Sequence, residues 1–179
     1  MGSPRKPREA LLFAGLLYGT EDFLQKAKCM LQAELGGIGR ETPASLWHSD
    51  YYMAELGHSI KRKFLFFGLI DPGEIAEIKL KTNRVESGLS VEGKRKVNID
   101  PGYITPAKLV LASTKDYAHR VYLGRGIYGE ATLLWSAKGK TFVPHLYTYL
   151  DFMKKENIRV FTEMRGALME ALKTKHRFE

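Results

Sequence analysis

The chain is poor in cysteine, with Cys29 as its one thiol among 179 residues. A single cysteine cannot form a disulfide framework within the chain or a cysteine-based metal cage. No apolar run approaches the roughly 20 residues that a membrane-spanning helix needs, so no membrane partner is expected. Basic residues precede the apolar stretch 11–18 as in a signal peptide, but no small-residue cleavage site follows it. We therefore expect a cytoplasmic protein.

The sequence motifs of catalysis and nucleotide binding give little support to any one activity. The sequence contains no G-x-S-x-G, and the G-x-G-x-x-G spacing at 124–129 falls within the predicted β-hairpin instead of between a strand and a helix. Residues 88–95 have the glycine and lysine spacing of a phosphate-binding loop, but they lack its Ser or Thr and are expected to follow a helix rather than a strand. Motifs alone therefore assign no reaction.

Positive charge is what the chain has in excess. Its net charge is +8, and lysines and arginines cluster at 61–63, 94–96 and 173–177. Such clusters favour anionic partners, namely nucleotides, nucleic acid or a phosphorylated metabolite. The alternative is a solvated basic surface that only keeps the protein soluble.

The order of apolar patterns predicts one domain over residues 1–179. Strands are expected at 11–18, 44–47, 64–70 and 97–100, with helices between the first two and the last two. Thr20 is expected to cap the first helix, and Asp71 with Pro72 to start the second. This order fits a ferredoxin-like βαββαβ core over residues 11–100, and hence an α+β fold of the α/β sandwich type.

Residues 101–143 are predicted to extend this core. Pro101 and Gly102 are expected to end the fourth strand, and Thr105 with Pro106 to open a short helix that runs to Ala112. A C-terminal helix is predicted over 151–175, and both Asp151 and Asn157 are candidates for its start.

A β-hairpin is predicted from strands 118–123 and 127–135. With a three-residue loop at 124–126, Tyr122 lies opposite Tyr128 and Arg120 opposite Glu130 on one polar face. The opposite, apolar face is expected to carry Val121, Leu123, Ile127, Ala131, Leu133 and, among them, His119.

A short internal sequence repeat suggests where a ligand would bind. The sequence KRK, a strand and Ile-Asp-Pro-Gly occurs at 61–73 and again at 94–102. A strand–helix–strand crossover makes the two strands run in the same direction, which places Asp71 and Asp100 at the carboxyl edge, where ligands of open sheets bind. The structural alternative is that Asp-Pro-Gly serves only as turn and helix-start chemistry.

Asp100 and Glu130 are the predicted catalytic carboxylates, as a general base or as ligands of Mg²⁺. The alternatives are that Glu130 only pairs with Arg120 and that Asp100 only braces a turn. Backbone N–H groups at 102–107 are expected to form an anion site at the start of the short helix, with Lys108 and Lys115 on one helix face. The predicted ligand-binding residues are Asn98, Gly102, Tyr103, Lys108, Lys115, Arg120, Tyr122 and Tyr128.

The stretch VNIDPGYITPAKLVLASTKDYAHRVYLGRGIYGEATL, with FAGLLYG and IDPGEIAEIKLKTN before it, resembles a prokaryotic family of small proteins with an Asp-Pro-Gly-Tyr signature, domain of unknown function 4416. The family pattern has Trp-Thr-Tyr-Pro-Asp-Tyr where residues 147–152 read Tyr-Thr-Tyr-Leu-Asp-Phe. The resemblance implies no particular activity.

The sequence is compatible with three functions. The first is an enzyme or binding protein for a small phosphorylated, nucleotide-like ligand at the carboxyl edge, with or without Mg²⁺. The second is an RNA-binding module without catalysis, and the third is a ligand-free scaffold. The sequence does not determine the reaction, the substrate, the oligomeric state or the reactivity of Cys29.

Overall fold

The computed structural model of the protein describes residues 2–48 and 50–175. Within them the chain has an α+β fold built on a nine-stranded antiparallel sheet. The last two residues of the predicted basic tail, 176–177, lie outside the described residues. None of the helices in the described ranges is long and apolar enough to cross a membrane.

The elements alternate between the sheet and its covering helices. The strands are β1 Ala10–Tyr18, β2 Arg40–Glu41, β3 Ser45–Leu46, β4 Lys61–Ile70, β5 Val97–Ile104, β6 Lys108–Ser113, β7 Val121–Gly124, β8 Ile127–Ser136 and β9 Thr141–Pro144. The helices are α1 Glu21–Leu35, α2 Asp50–Leu56, α3 Ile75–Gly88, α4 Leu150–Met153 and α5 Lys155–Lys175, and a 3₁₀ turn, Pro72–Glu74, precedes α3.

The first half of the chain forms the predicted split core. β1 lies between β4 and β5 and pairs antiparallel with both, so β4 and β5 run in the same direction on either side of it. The short strands β2 and β3 pair with the outer edge of β4. This is the strand order of a ferredoxin-like fold, and the predicted crossover is confirmed.

Two apolar layers cover the sheet because both faces of β1 are buried. On one face, α1 and α3 pack against Leu12, Ala14 and Leu16. On the other face, α5 packs its Phe161 against Phe13, with the two ring centroids 5.3 Å apart. Each fully buried large side chain of this kind contributes about 1.5–3 kcal/mol. The part of this second face nearest Leu17 belongs to a smaller, separate cluster.

The predicted helix from Thr105 to Ala112 is wrong, because this segment forms a tight turn and β6. The Thr105 hydroxyl accepts hydrogen bonds from the N–H groups of Ala107 and Lys108, which closes the turn. Leu109, Val110 and Leu111 are then buried in succession, as in a strand that is covered on both faces, and they pair with β5 and β8.

β5 also continues through Pro101 and Gly102, where the sequence predicted its end. A Cβ atom at Gly102 would lie 2.3 Å from the carbonyl oxygen of Val110 and 2.6 Å from Cζ of Phe13. Gly102 therefore permits close approach of the neighbouring strand rather than a turn.

The predicted hairpin is present with a different loop. Tyr122 lies opposite Tyr128 as predicted, but Gly124 rather than Leu123 pairs with Ile127. The loop consists of two residues, Arg125 and Gly126, with φ of 58° and 76°, and such a pair of positive φ values is typical of the tightest hairpin turns. The prediction that Val121 and Leu123 face the core is wrong, since β7 is an exposed edge strand on which they are 69% and 41% exposed.

Candidate functional site

A cleft of about 610 Å³ opens where β5 and β6 separate. β5 pairs with β6 only at residues 102–104, so the side of β5 that faces away from β1 has no strand partner over 97–101. The volume lies within the range of about 300–1,000 Å³ that is usual for small-molecule sites. The cleft lies beside the amino-terminal halves of β4 and β5, and Asp100 lies in it rather than at the carboxyl edge where the sequence predicted this residue. Asp71 does lie at that edge, where it pairs with Lys6.

Arg62 from β4 forms the floor of the cleft and is 4% exposed. Its Nη2 lies 2.9 Å from Oδ2 of Asp151, and its Nη1 lies 3.8 Å from Oδ2 of Asp100. The guanidinium crosses β1 at Gly15, where a Cβ atom would lie 2.6 Å from Nη2. Arg62 is therefore a buried charge that two carboxylates neutralise, and Asp151 is an ion-pair partner rather than a helix cap.

Two side chains of α3 cover the free edge of β5. Lys79 Nζ donates to the carbonyl oxygen of Ile99 at 2.8 Å, and Glu86 Oε1 accepts from the N–H of Ile99 at 2.6 Å. Burial raises the pKa of the Glu86 carboxyl, although Lys79 and the Ile99 N–H act in the opposite direction. Both side chains thus supply the hydrogen bonds that a neighbouring strand would otherwise make.

Two hydrogen bonds in sequence connect Arg95 to Asp100 through Asn98. Arg95 Nη1 donates to Oδ1 of Asn98 at 3.1 Å, and Asn98 Nδ2 donates to Oδ2 of Asp100 at 2.9 Å. Arg95 is held in turn by Glu55 of α2, at 2.8 Å. The side chain of Asp100 remains 35% exposed, so it is available to a ligand in the cleft.

Glu130 lines the same cleft but is almost fully bonded within the protein. Its Oε2 accepts from Arg120 Nε at 2.7 Å and from His119 Nε2 at 2.8 Å, and its Oε1 accepts from the Thr132 hydroxyl at 3.3 Å. Burial acts to lower the pKa of Arg120, but the hydrogen bond and ion pair with Glu130 outweigh it and raise that pKa. The prediction that His119 joins the apolar face is therefore wrong.

Asp100 and Glu130, the predicted Mg²⁺ ligands, both pair with cations of the protein. In the described part of the chain, no group of three or more His, Cys, Asp or Glu residues is arranged to hold a metal ion. Asp100 lies within 4 Å of Arg62 and Lys79, and Glu130 is paired with Arg120. A second cation at either carboxylate would have to compete with these partners.

Aromatic rings face the cations of the cleft. Tyr51 and Tyr52 belong to α2, a helix that the sequence did not predict. Lys115 Nζ lies 5.1 Å from the centroid of the Tyr51 ring, and Arg95 Cζ lies 6.0 Å from that of Tyr52. Burial and then the charge of Asp100 raise the pKa of Tyr52 to about 12, so its hydroxyl stays protonated at neutral pH.

The structure brings about half of the predicted site residues together. The predicted residues that line the cleft are Asn98, Asp100, Lys115, Arg120 and Glu130. The predicted residues that do not line it are Gly102, Tyr103, Lys108, Tyr122 and Tyr128. Gly102 and Tyr103 fall where β6 already pairs with β5, and Lys108 follows a turn rather than sharing a helix face with Lys115. The anion site predicted at 102–107 is wrong, because no helix begins there.

Sequence reasoning missed several lining residues, namely Trp47, Arg62, Lys79, Glu86, Tyr149 and Asp151. Arg62 was noted only as part of a basic cluster. Lys79 and Glu86 are seven residues apart, which places both charged side chains on one face of α3. This spacing was visible in the sequence and could have identified them. Asp151 belongs to the 147–152 run, whose difference from the family pattern drew attention to it without indicating a partner.

A family model described as Domain of unknown function (DUF4416) matches residues 8–167 of the chain. No curated protein and no solved structure matches the chain. The match covers every residue that lines the cleft and all of the core except Leu168 and Leu172 of α5.

Proposed function

We propose a function from the geometry of the cleft, since the chain belongs to the DUF4416 family, whose function is unknown. The proposal is that the cleft binds a small phosphorylated, nucleotide-like ligand. The observation that carries it is the pairing of ring faces with cations around one space of about 610 Å³. Rings that stack on a base and cations that hold a phosphate are the two requirements of such a ligand.

Lys115 is the proposed phosphate contact. It is exposed at the cleft and contacts the ring of Tyr51, whereas Arg62, Arg95 and Arg120 already pair with carboxylates. A cation that keeps its charge available adds more to the binding of an anion than one that is already neutralised. The phosphate is accordingly placed toward solvent, and the base toward the tyrosines of α2.

Asp100 is the proposed partner of a ligand hydroxyl or amine. A carboxylate that is one-third exposed accepts hydrogen bonds from such donors, and the cations of Arg62 and Lys79 lie within 4 Å of its oxygens. Glu130 is left out of the proposal, because its oxygens already accept bonds from His119, Arg120 and Thr132. No catalytic step is assigned to either carboxylate.

Isothermal titration of the full chain with AMP, GMP, UMP, their three nucleosides and inorganic phosphate tests the proposal. We expect at least one nucleotide to bind, and Lys115→Gln to weaken that nucleotide about fivefold while leaving its nucleoside unchanged. Lys108→Gln is the matched control, since Lys108 is an exposed lysine that does not line the cleft. The absence of binding across the panel, or an equal loss in both variants, would contradict the proposal.

A further inference from the structure

A row of four rings leads away from the cleft along the surface. The row consists of Tyr117, which lines the cleft, followed by His119, Tyr147 and His145. Ring centroids along it are 6.2 Å, 4.5 Å and 6.3 Å apart, and the rings of His119 and Tyr147 are stacked within 5° of parallel. The row therefore continues the aromatic lining of the cleft onto the open surface.

The two tyrosines of the row are exposed, whereas the His119 side chain between them is only 16% exposed. Tyr117 is 48% exposed and Tyr147 is 50% exposed. Tyrosines packed for stability alone are usually more deeply covered, whereas rings that stack on bases must present a face or edge to solvent. Their exposure indicates a surface that a planar ligand covers.

Hydrogen bonds hold the row in position. His119 Nε2 donates to the buried Glu130 carboxylate, and His145 Nε2 donates to the carbonyl oxygen of Ala131. His145 Nδ1 also accepts from the N–H of Tyr147 at 3.3 Å. The two histidines are thus anchored to β8, and a ligand would not have to order them on binding.

Charge near the row suits a polyanion. Lys115 and Tyr117 both line the cleft, and Lys115 is the exposed cation there, since Arg120 already pairs with Glu130. The whole chain carries a net charge of +8. A ligand that carries successive bases matches the spacing of these rings better than a free mononucleotide does, and the net positive charge favours its phosphates.

We propose that the ligand is a short single-stranded oligonucleotide, whose terminal nucleotide occupies the cleft while the following bases stack along the row of Tyr117, His119, Tyr147 and His145. This inference rests on the proposed function, because the cleft must accept one nucleotide. It gives Tyr147, which does not line the cleft, a role that a mononucleotide site would not need.

Titration of the full chain with AMP, pApA and pApApA at fixed salt tests the inference. We expect the trinucleotide to bind about fivefold or more tightly than AMP, the gain usual for one stacked base. Tyr147→Leu should remove most of this gain without changing the affinity for AMP, because it deletes a ring and leaves every charge in place. Tyr122→Leu is the matched control, since Tyr122 is 60% exposed on the hairpin and lies outside both the cleft and the row.

The outcomes separate the two proposals. If AMP and the trinucleotide bind equally well, or if the gain survives Tyr147→Leu, the inference is wrong while the proposed function stands. A gain that is lost equally in Tyr147→Leu and Tyr122→Leu also overturns it. If no ligand of the series binds, the inference fails, and the proposed function fails with it when GMP and UMP do not bind either.

Discussion

The ion pair on the floor of the cleft makes a direct test of the structure possible. Asp151→Asn keeps the shape of the side chain and removes its charge. Arg62, which is 4% exposed, would then lose its nearest carboxylate and keep only Asp100 at 3.8 Å. The charge of Arg62 would then stay buried, with one more distant carboxylate to neutralise it.

The size of the effect follows from this burial. Removing one partner of a buried ion pair costs about 3–5 kcal/mol, because the other charge is left desolvated. Asp100 still offsets part of that cost, so we expect the lower end, about 3 kcal/mol. For a chain of this length, a loss of that size lowers the midpoint of thermal unfolding by about 6–12 °C.

Urea unfolding followed by circular dichroism measures the loss as a change in midpoint at constant slope. The control is Asp22→Asn, which breaks the Lys26–Asp22 pair in α1. That pair has almost the same length, 2.8 Å against 2.9 Å, but its side chains are 56% and 67% exposed. We expect the control to cost about 1 kcal/mol or less, including the lost interaction of Asp22 with the helix dipole.

The two variants differ mainly in burial, so their comparison isolates it. If Asp151→Asn is no more destabilising than Asp22→Asn, then Arg62 is not a buried charge that depends on Asp151. The floor of the cleft would then not contain a buried ion pair between Arg62 and Asp151.

Two further variants test the surroundings of this pair. Gly15→Ala should lower the free energy of unfolding by about 1–3 kcal/mol, because its methyl group would meet the guanidinium of Arg62. Gly166→Ala, at an open site in α5, is the control and should raise the free energy of unfolding by about 0.5–1 kcal/mol. Equal effects of the two substitutions in urea unfolding would contradict the contact between Gly15 and Arg62. Burial raises the pKa of Glu86 in the folded state, so the stability from its protonated form is complete below the unfolded pKa of about 4.3 and is lost as the pH rises through the folded pKa. Unfolding measured from pH 4 to 7 should therefore show Glu86→Gln gaining stability relative to wild type as the pH rises, and a pH-independent difference would count against the buried carboxylate.

Much of the core could be predicted because its signals are local. The continuous apolar run of β1 and the stripes of α1 and α5 each report which side of an element is buried. The repeat of a basic cluster, a strand and Asp-Pro-Gly predicted that β4 and β5 run in the same direction, and they do.

The helix predicted from Thr105 to Ala112, where the structure has a turn and β6, shows how one short sequence can favour two local structures. Thr105 and Pro106 are typical of a helix start, but the same residues also form a tight turn. What decides between them is the burial of Leu109, Val110 and Leu111 between β5 and β8, which no window of sequence around Thr105 reports. The same neighbour explains why Gly102 lies within a strand.

The sequence by itself determined the α+β class, the order of the core elements and the identity of Asp100, Arg120 and Glu130 as residues to examine. Only the tertiary structure decided that β5 and β6 separate, that the cleft lies beside the start of β5, and that Arg62 meets Asp151 across it. The physical reason is that periodicity records how one element is buried. The meeting of side chains distant in sequence depends instead on strand register and on where neighbouring strands stop pairing.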